Sequence, residues 1–141
     1  MKEAEKHKKI FEFLNRHKLG VVSTFPAEGE FPESAVVGFG NNEKLELVFG
    51  TSNLSRKYRN LKNNQNISFV IGWDSGLGTV QYEGIASEVS KVDEPKLVPL
   101  LINRNEGSKK YIGLKDQRYF YVKPVWVRLS DYADNPPIVY E

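Results

Sequence analysis

The residue pattern with the clearest chemical meaning is the segment TSNLSRK at positions 51–57. Two hydroxyl residues, Thr51 and Ser55, precede the adjacent cations Arg56 and Lys57. The helical pattern that follows places these cations in a first helical turn, where free backbone N–H groups and the positive end of the helix dipole favour anions over cations. A bound anion would remove this conflict and would accept hydrogen bonds from the hydroxyls and amides. The segment therefore predicts a phosphate-type site.

The same segment has a plainer interpretation as the solvated face of a helix, since Arg59 and Lys62 add further basic side chains. Either Ser52 or Ser55 is a suitable N-terminal cap for that helix. The segment lacks the glycine spacing of a Walker phosphate loop and of a dinucleotide-binding fingerprint. The residues alone leave both an anion site and a solvated basic helix open.

Other candidate catalytic groups are poorly placed for chemistry. His7 and His17 are the two histidines, and both fall on the first predicted helix without the spacing of adjacent-turn metal ligands. A Ser-His-Asp site would need a histidine near the strands. Glu83 and Glu88 fall on opposite faces of one predicted strand, which argues against a glycosidase carboxylate pair. The aromatic run at 119–121 is expected in a sheet or dimer core, because few basic residues accompany it for nucleic-acid stacking. We predict no metal site and name no catalytic residue.

The elements that must position the 51–57 segment are strands with a few helices between them. Alternating and β-branched patterns predict strands, and apolar residues at helical spacing predict helices. The predicted strands are 19–25, 34–39, a third around 45–49, 67–73, 79–89 and 119–129, and the predicted helices are 2–17, 54–63 and 93–103.

Turn signals indicate how these elements connect. The asparagine pair at 41–42 predicts a hairpin between the second and third strands, and the residues at 50–53 predict a break after the third. Pro124 indicates an edge or a bulge in the last strand. Six strands with adjacent hairpins predict a mainly β protein with peripheral helices, closed or partly closed as a barrel, rather than a doubly wound sheet. We expect a single domain over 1–141 that consists of a helix at 1–18, the barrel at 19–132 and a tail at 133–141.

Composition narrows the function classes. The 141-residue chain contains no cysteine, which excludes disulfides, thiolate catalysis and metal sites built on sulfur. Its net charge of +2 is small for a general nucleic-acid binder. No apolar run approaches the roughly 20 residues of a membrane-spanning helix, and the charged residues at 1–9 precede no apolar stretch typical of a secretory signal. We therefore expect a cytoplasmic protein without a nucleic-acid or membrane partner.

Nearly the whole chain, at 19–132, resembles the pyridoxamine 5′-phosphate oxidase-like family of flavin mononucleotide (FMN)-binding split barrels. The resemblance rests on the order of a hairpin, the TSNLSRK turn, an asparagine pair at 63–64, an apolar strand and a long strand containing QYEG at 81–84. The chain length is similar to that of the short general-stress-protein branch. The resemblance implies a six-stranded antiparallel split β-barrel and a homodimer with FMN at the subunit interface.

The resemblance also implies a set of cofactor-binding positions. The turn at 51–57 matches the segment that holds the phosphate, and the strand at 34–37 matches the one whose backbone lies along the flavin ring. Thr79 matches a usual glutamine contact by spacing, while Gln81 lies near it. Trp126 matches either a ring contact across the dimer or a core or interface aromatic. The implied FMN-binding residues are Ser34, Ala35, Val36, Val37, Gly50, Thr51, Ser55, Arg56, Lys57, Thr79, Gln81 and Trp126.

Three positions depart from true pyridoxamine phosphate oxidases. Ala35 replaces a phosphate-binding arginine, Gly40 replaces a substrate lysine, and Ser130 replaces the histidine of a substrate-binding Arg-x-His pattern. Oxidation of pyridoxamine phosphate itself is therefore not expected. The resemblance favours a flavin-dependent oxidoreductase that acts on a small molecule. The alternatives are a flavin-binding or sensing module without turnover, and a split barrel that binds heme or deazaflavin.

Overall fold

An antiparallel sheet that curls into a barrel forms the fold, seen in a computed structural model that describes residues 1–133 and 135–141. Its strands there are β1 (Leu19–Thr24), β2 (Glu33–Gly38), β3 (Gly40–Asn41), β4 (Leu47–Ser52), β5 (Asn66–Ile71), β6 (Gly78–Glu88), β7 (Gln117–Asp131) and β8 (Ile138–Tyr140). The helices are α1 (Glu3–Asn15), α2 (Arg56–Asn63) and α3 (Glu94–Ile102), followed by a 3₁₀ helix at Glu106–Tyr111. None of these helices is long and apolar enough to cross a membrane.

The strands pair in the order β2-β1-β5-β6-β7-β4-β3, and β8 adds to β7. Strands β2 and β4, near the two ends of this order, also approach each other, so the sheet curls into a split barrel. Six strands have six or more residues, whereas β3 and β8 have two and three. The predicted six-stranded antiparallel split barrel is confirmed in its main strands, and two short strands extend it.

The barrel core consists of side chains that alternate inward along each strand, as a period of two requires. Phe49, Phe69, Tyr82 and Phe120 are almost completely buried and meet edge to face or stacked, with ring centroids 5.6–5.9 Å apart. The hydroxyl of Tyr82 donates a hydrogen bond to the carbonyl oxygen of Leu45 at 2.7 Å. This bond satisfies the one polar atom that Tyr82 brings into the core.

A second, smaller core lies on the outside of the barrel, where α3 covers β4 and β7. Val98, Leu101 and Ile102 of α3 pack there against Val48 and Tyr119. Pro99 does not interrupt α3, which continues to Ile102. This outer core matters for function because α3 forms one wall of the cleft described below.

The predicted hairpin between the second and third strands is wrong in its partners. β2 pairs with β1 along its whole length, from Leu19 opposite Gly38 to Thr24 opposite Glu33. Only the two residues of β3 pair with β4. The chain changes partner around Phe39, whose amide donates to the carbonyl of Lys18 before β3 begins. The asparagine pair at 41–42 indicated a turn but did not indicate which strands pair on either side of it.

The predicted break at 50–53 is also wrong, because β4 continues to Ser52. Strand β7 offers it a full set of partners, with Gly50 opposite Tyr119, Thr51 opposite Arg118 and Ser52 opposite Gln117. Hydrogen bonds to a strand far along the chain override the weak strand preference of glycine and serine.

The bulge predicted at Pro124 is confirmed. Pairing between β6 and β7 passes from Glu83–Trp126 to Gly84–Pro124, which leaves Val125 as the extra residue. Strand β7 is longer than the predicted 119–129, and the expected tail at 133–141 includes β8, whose Tyr140 lies opposite Val127. Position 134 of that tail lies outside the described residues.

Candidate functional site

The start of α2 is built by Ser55, which is its N-terminal cap. The Ser55 hydroxyl accepts a hydrogen bond from the backbone N–H of Tyr58 at 3.2 Å, a typical capping geometry. Ser52, the other predicted cap, instead accepts from the N–H of Leu54. The cap leaves the N–H groups of Arg56 and Lys57 in the first turn without an intrahelical acceptor, as at any helix start.

The two hydroxyls of Thr51 and Ser55 lie 2.8 Å apart and share one hydrogen bond. Each hydroxyl carries one proton, and one of the two protons is used between them. Whichever of the two hydroxyls donates to the other, the second one keeps its proton and can donate it to another group. The pair therefore offers one hydrogen-bond donor beside the free amides of α2.

The two predicted cations have different surroundings. The Arg56 guanidinium is exposed and donates to the Glu33 carboxylate at 2.8 Å. Lys57 is half-buried and forms no ion pair with any of the residues described. Burial, followed by the nearby charge of Arg56, lowers the pKa of the Lys57 ammonium group. Lys57 is therefore the cation that an anion would stabilise most.

Helix α2 is fixed against the barrel by Asn60, which is 1% exposed. Its amide nitrogen donates to the Thr24 hydroxyl at 2.9 Å and to the Glu33 carboxylate at 2.7 Å, and its oxygen accepts from the N–H of Ala27 at 2.8 Å. Glu33 thus holds both Asn60 and Arg56. This network sets the position of the α2 start relative to β1 and β2.

A cleft of about 770 Å³ opens beside the start of α2, and we call it the main cleft. Its walls come from β2, β4, α3, the start of β7 and the segment that follows α3. It is lined by Val36, Val37, Gly38, Gly50, Thr51, Ser52, Lys57, Leu101, Ser108, Tyr111, Leu114, Lys115, Asp116, Gln117 and Tyr119. The main cleft brings together five predicted site residues, which are Val36, Val37, Gly50, Thr51 and Lys57.

Gly50 shapes the floor of the main cleft. A Cβ atom at this position would lie 2.5 Å from Nε2 of Gln117 and 3.1 Å from the ring of Tyr119. The missing side chain lets both neighbours on β7 lie across β4.

The family of the protein follows from its sequence match. A family model for pyridoxamine 5′-phosphate oxidase matches residues 7–131. The chain belongs to this family. No curated protein matches the sequence. The match covers α1 from residue 7 and the barrel through β7, so the start of α2 and every strand that lines the main cleft lie within it.

Solved structures of similar fold include two heme proteins and a general stress protein. A heme binding protein from Mycobacterium smegmatis superposes with a TM-score of 0.79 at 19% identity over 99% of this chain, which spans 58% of that structure's length. General stress protein 26 from Bacillus anthracis gives 0.71 at 19% identity, covering 95% of this chain and 98% of that one. HutZ, the heme storage protein from Vibrio cholerae, gives 0.68 at 21% identity, covering 83% and 88%. These likenesses establish the fold.

Several family-implied residues lie outside the main cleft. Ser34 is on β2, but its hydroxyl is hydrogen-bonded to Ser23 at 2.8 Å, and neither Ser34 nor Ala35 lines the cleft. The Arg56 guanidinium donates to the Glu33 carboxylate and does not line the cleft. Ser55 stands one hydrogen bond behind the lining residue Thr51.

The remaining implied residues share another face of the sheet. Trp126 lies opposite the exposed Glu83, and residues opposite each other in an antiparallel pair point to the same side. Thr79 and Gln81 alternate with buried residues on β6 and so point to this same outer side. Within one chain these three residues are not brought to the main cleft.

Sequence reasoning missed part of the lining. Gln117 and Tyr119 had no motif to identify them, and the residues at 108–116 follow a helix rather than a strand of the barrel. Pairing β4 with the last strand would have placed Gln117 opposite Ser52 of the TSNLSRK segment and Tyr119 opposite Gly50 just before it. Glu33 was missed as well, since its ion pair joins positions 23 residues apart. No group of three or more histidine, aspartate and glutamate side chains in the described chain is arranged to hold a metal ion.

Proposed function

We propose that this protein binds FMN in the main cleft and acts as a flavin-dependent oxidoreductase on a small molecule. The observation that carries the proposal is Lys57, a half-buried cation on the cleft wall that has no carboxylate partner among the described residues. Beside it are a free hydroxyl proton and the amides of a helix start, which together form a site for a phosphate group. When bound, the flavin supplies the redox chemistry, and the protein positions it and tunes its potential.

The charges around α2 assign unequal roles to the two cations. Glu33 already neutralises Arg56 at 2.8 Å, so Lys57 is the main counter-ion for the phosphate. Ala35, on β2, carries no charge where family oxidases have an arginine. The phosphate is thus bound chiefly by one ammonium group, one hydroxyl and the free amides of α2.

The flavin ring would lie along the cleft-lining part of β2, at Val36, Val37 and Gly38. We further propose that a second copy of the chain completes the ring site, with the outer face of β5–β7 as the interface. Val70 and Ile85 are exposed apolar side chains there, at 38% and 39%, and Val125 at the bulge is 56% exposed. Apolar side chains on one sheet face favour burial against a partner. Thr79, Gln81 and Trp126 lie on this face and would reach the partner's flavin.

Heme binding has less support in this chain. Histidine is a common axial ligand of heme iron, and neither histidine lines the main cleft. His17 follows α1 and is buried, with its ring tilted against that of Phe13 and the two centroids 4.4 Å apart. His7 lies on α1 and bonds the backbone of Glu43. Tyr111 is an exposed cleft residue of a type that can ligate heme iron, so the binding experiment includes hemin.

The test is a titration of the purified protein with FMN, riboflavin and hemin. We expect saturable quenching of flavin fluorescence, with FMN at least about tenfold tighter than riboflavin, since only FMN carries the phosphate. Equal affinity for the two flavins, or hemin binding without FMN binding, would contradict the proposal. Oxidation of NADPH by the loaded protein faster than by free FMN then separates an enzyme from a binding module.

We also expect FMN affinity to fall as the pH rises from neutral into the alkaline range, beginning at a lower pH than an exposed lysine would give. The phosphate ester is already a dianion in this range, so its charge does not change. Because the pKa of Lys57 is lowered, this lysine loses its proton at a lower pH than an exposed lysine does. Affinity stays constant while Lys57 is charged in the free protein and falls once the pH exceeds its pKa.

The control for this pH dependence is Lys57→Arg, because a guanidinium keeps its charge throughout the range. The ratio of FMN to riboflavin affinity should stay constant with pH in that variant and fall in the unmodified protein. Because FMN and riboflavin have the same ring, the ratio of their affinities cancels any effect of ring ionisation. A ratio that does not depend on pH in the unmodified protein would argue against Lys57 as the phosphate ligand.

A further inference from the structure

The Glu33 carboxylate, at the start of β2, binds two different groups of α2 with its two oxygens. Oε1 accepts a hydrogen bond from the amide nitrogen of Asn60 at 2.7 Å, and Oε2 accepts from the Arg56 guanidinium at 2.8 Å. The Glu33 side chain is 17% exposed, whereas that of Arg56 is 67% exposed. A largely buried carboxylate therefore holds a solvated cation at the edge of the proposed phosphate site.

The fold requires an acceptor at Glu33 but not a negative charge. Asn60 is buried and neutral, and its side chain also bonds Thr24 and Ala27, so any acceptor oxygen at Glu33 completes this network. Arg56, in contrast, is exposed enough to be solvated by water, and ion pairs with one exposed partner add little to stability. The charge of Glu33 therefore needs an explanation outside the fold.

The ion pair with Arg56 acts directly on the phosphate site. Arg56 and Lys57 are neighbours in the first turn of α2, and after burial it is the charge of Arg56 that lowers the pKa of Lys57. A phosphate group at Lys57 thus lies within the electrostatic range of Arg56 as well. Such a phosphate and the Glu33 carboxylate compete for the same guanidinium.

We propose that Glu33 is a positioning residue that withholds Arg56 from the phosphate, so that FMN binds as an exchangeable ligand rather than a permanently held one. This inference rests on the FMN function proposed above and concerns how tightly that site retains the cofactor. With Arg56 paired to Glu33 and an uncharged side chain at Ala35, Lys57 balances most of the phosphate charge. A single ammonium group retains a phosphate less firmly than an ammonium and a guanidinium together.

The test is Glu33→Gln, which keeps the side-chain length and an oxygen that accepts from Asn60. The new NH₂ group cannot accept from Arg56, so the guanidinium is released towards the phosphate. FMN affinity should rise at least about fivefold, FMN dissociation should slow by a similar factor, and riboflavin affinity should not change. The unmodified protein should lose FMN during gel filtration in flavin-free buffer, and the variant should retain more.

Two further variants show whether the gain comes from Arg56. Glu28→Gln is the matched control, because the Glu28 carboxylate lies 3.8 Å from Arg59 of the same helix and its removal leaves Arg56 paired. It should not change FMN affinity. In an Arg56→Met background, Glu33→Gln should raise FMN affinity by at most about twofold, since only repulsion across solvent is removed. A purely structural role for Glu33 would instead weaken both flavins in Glu33→Gln.

The outcomes separate this proposal from the assignment of the phosphate site. If the unmodified protein prefers FMN to riboflavin and Glu33→Gln does not increase that preference, the role of Glu33 is wrong and the phosphate site stands. If neither protein prefers FMN, both are wrong. The midpoint temperature of Glu33→Gln should lie within about 2 °C of that of the unmodified protein. A large fall would make the charge a requirement of the fold and would overturn the proposal, as would an equal gain in Glu28→Gln.

Discussion

Replacing Lys57 by methionine should weaken FMN binding by about 30- to 100-fold while leaving riboflavin binding nearly unchanged. Methionine keeps the length of the side chain and removes its charge. A hydrogen bond between a charged donor and a phosphate oxygen contributes about 2–3 kcal/mol, and about 1.4 kcal/mol corresponds to a tenfold change in affinity. Because riboflavin has no phosphate, its affinity reports only the ring contacts. Fluorescence titration of both flavins measures the two effects.

Two matched variants decide whether this effect is specific to Lys57. Lys62→Met removes an exposed lysine of the same helix, 3.2 Å from Glu88, and should leave the affinity for FMN unchanged. Arg56→Met should weaken FMN only several-fold, because Glu33 already pairs with Arg56 at 2.8 Å. A larger loss from Arg56→Met than from Lys57→Met would show that the guanidinium leaves Glu33 for the phosphate. Equal losses for FMN and riboflavin in Lys57→Met would place the phosphate elsewhere.

Replacing Lys57 by methionine should not harm the fold. Burial lowers the pKa of Lys57, so its charged form is less stable in the folded chain than in the unfolded one. Removing this charge therefore keeps the free energy of unfolding the same or raises it slightly. The Lys57→Met protein should unfold at the same temperature or slightly higher. This result would separate a loss of FMN affinity from general destabilisation.

Replacing Gly40 by alanine should destabilise the protein by about 3 kcal/mol or more, which corresponds to roughly 10 °C in midpoint temperature for a domain of this size. A Cβ atom there would lie 1.9 Å from the carbonyl oxygen of Leu100, 2.3 Å from its carbonyl carbon and 2.7 Å from the amide nitrogen of Leu101. All three atoms belong to the backbone of α3, so no change of side-chain rotamer relieves the clash. The helix must move away from β3.

The control for Gly40 is Gly107→Ala. Gly107 lies in the 3₁₀ helix, an ideal Cβ there meets no atom within 4 Å, and the residue is not in the left-handed region. Its substitution should change the midpoint temperature by less than about 2 °C. If Gly40→Ala were equally mild, α3 would not pack on β3 as described.

The displacement of α3 also has a functional consequence. Leu101 lines the main cleft. A Gly40→Ala protein that still folds should therefore lose affinity for both FMN and riboflavin. Lys57→Met should affect FMN alone. The close contact of Gly40 with α3 gives this position a packing role.

Local patterns in the sequence were sufficient for the features that depend on neighbouring residues. Alternation of apolar residues predicted the main strands, because side chains of a strand point alternately to its two faces. Ser55 was predicted as one of two possible helix caps, and Pro124 predicted the bulge. The family followed from the order of these features, and the match over 7–131 confirmed it.

Tertiary structure decided what depends on residues far apart in the chain. It paired β2 with β1 and carried β4 past Gly50, because β7 supplied hydrogen-bond partners about 70 residues later. It also placed the two adjacent cations in different surroundings. Arg56 forms an ion pair with Glu33, and Lys57 lies on the cleft wall. By itself the sequence determined the strands, the helix start and the family. Pairing, burial and charge balance between distant segments decided which side chains face the cleft, since those interactions exist only once the sheet has closed.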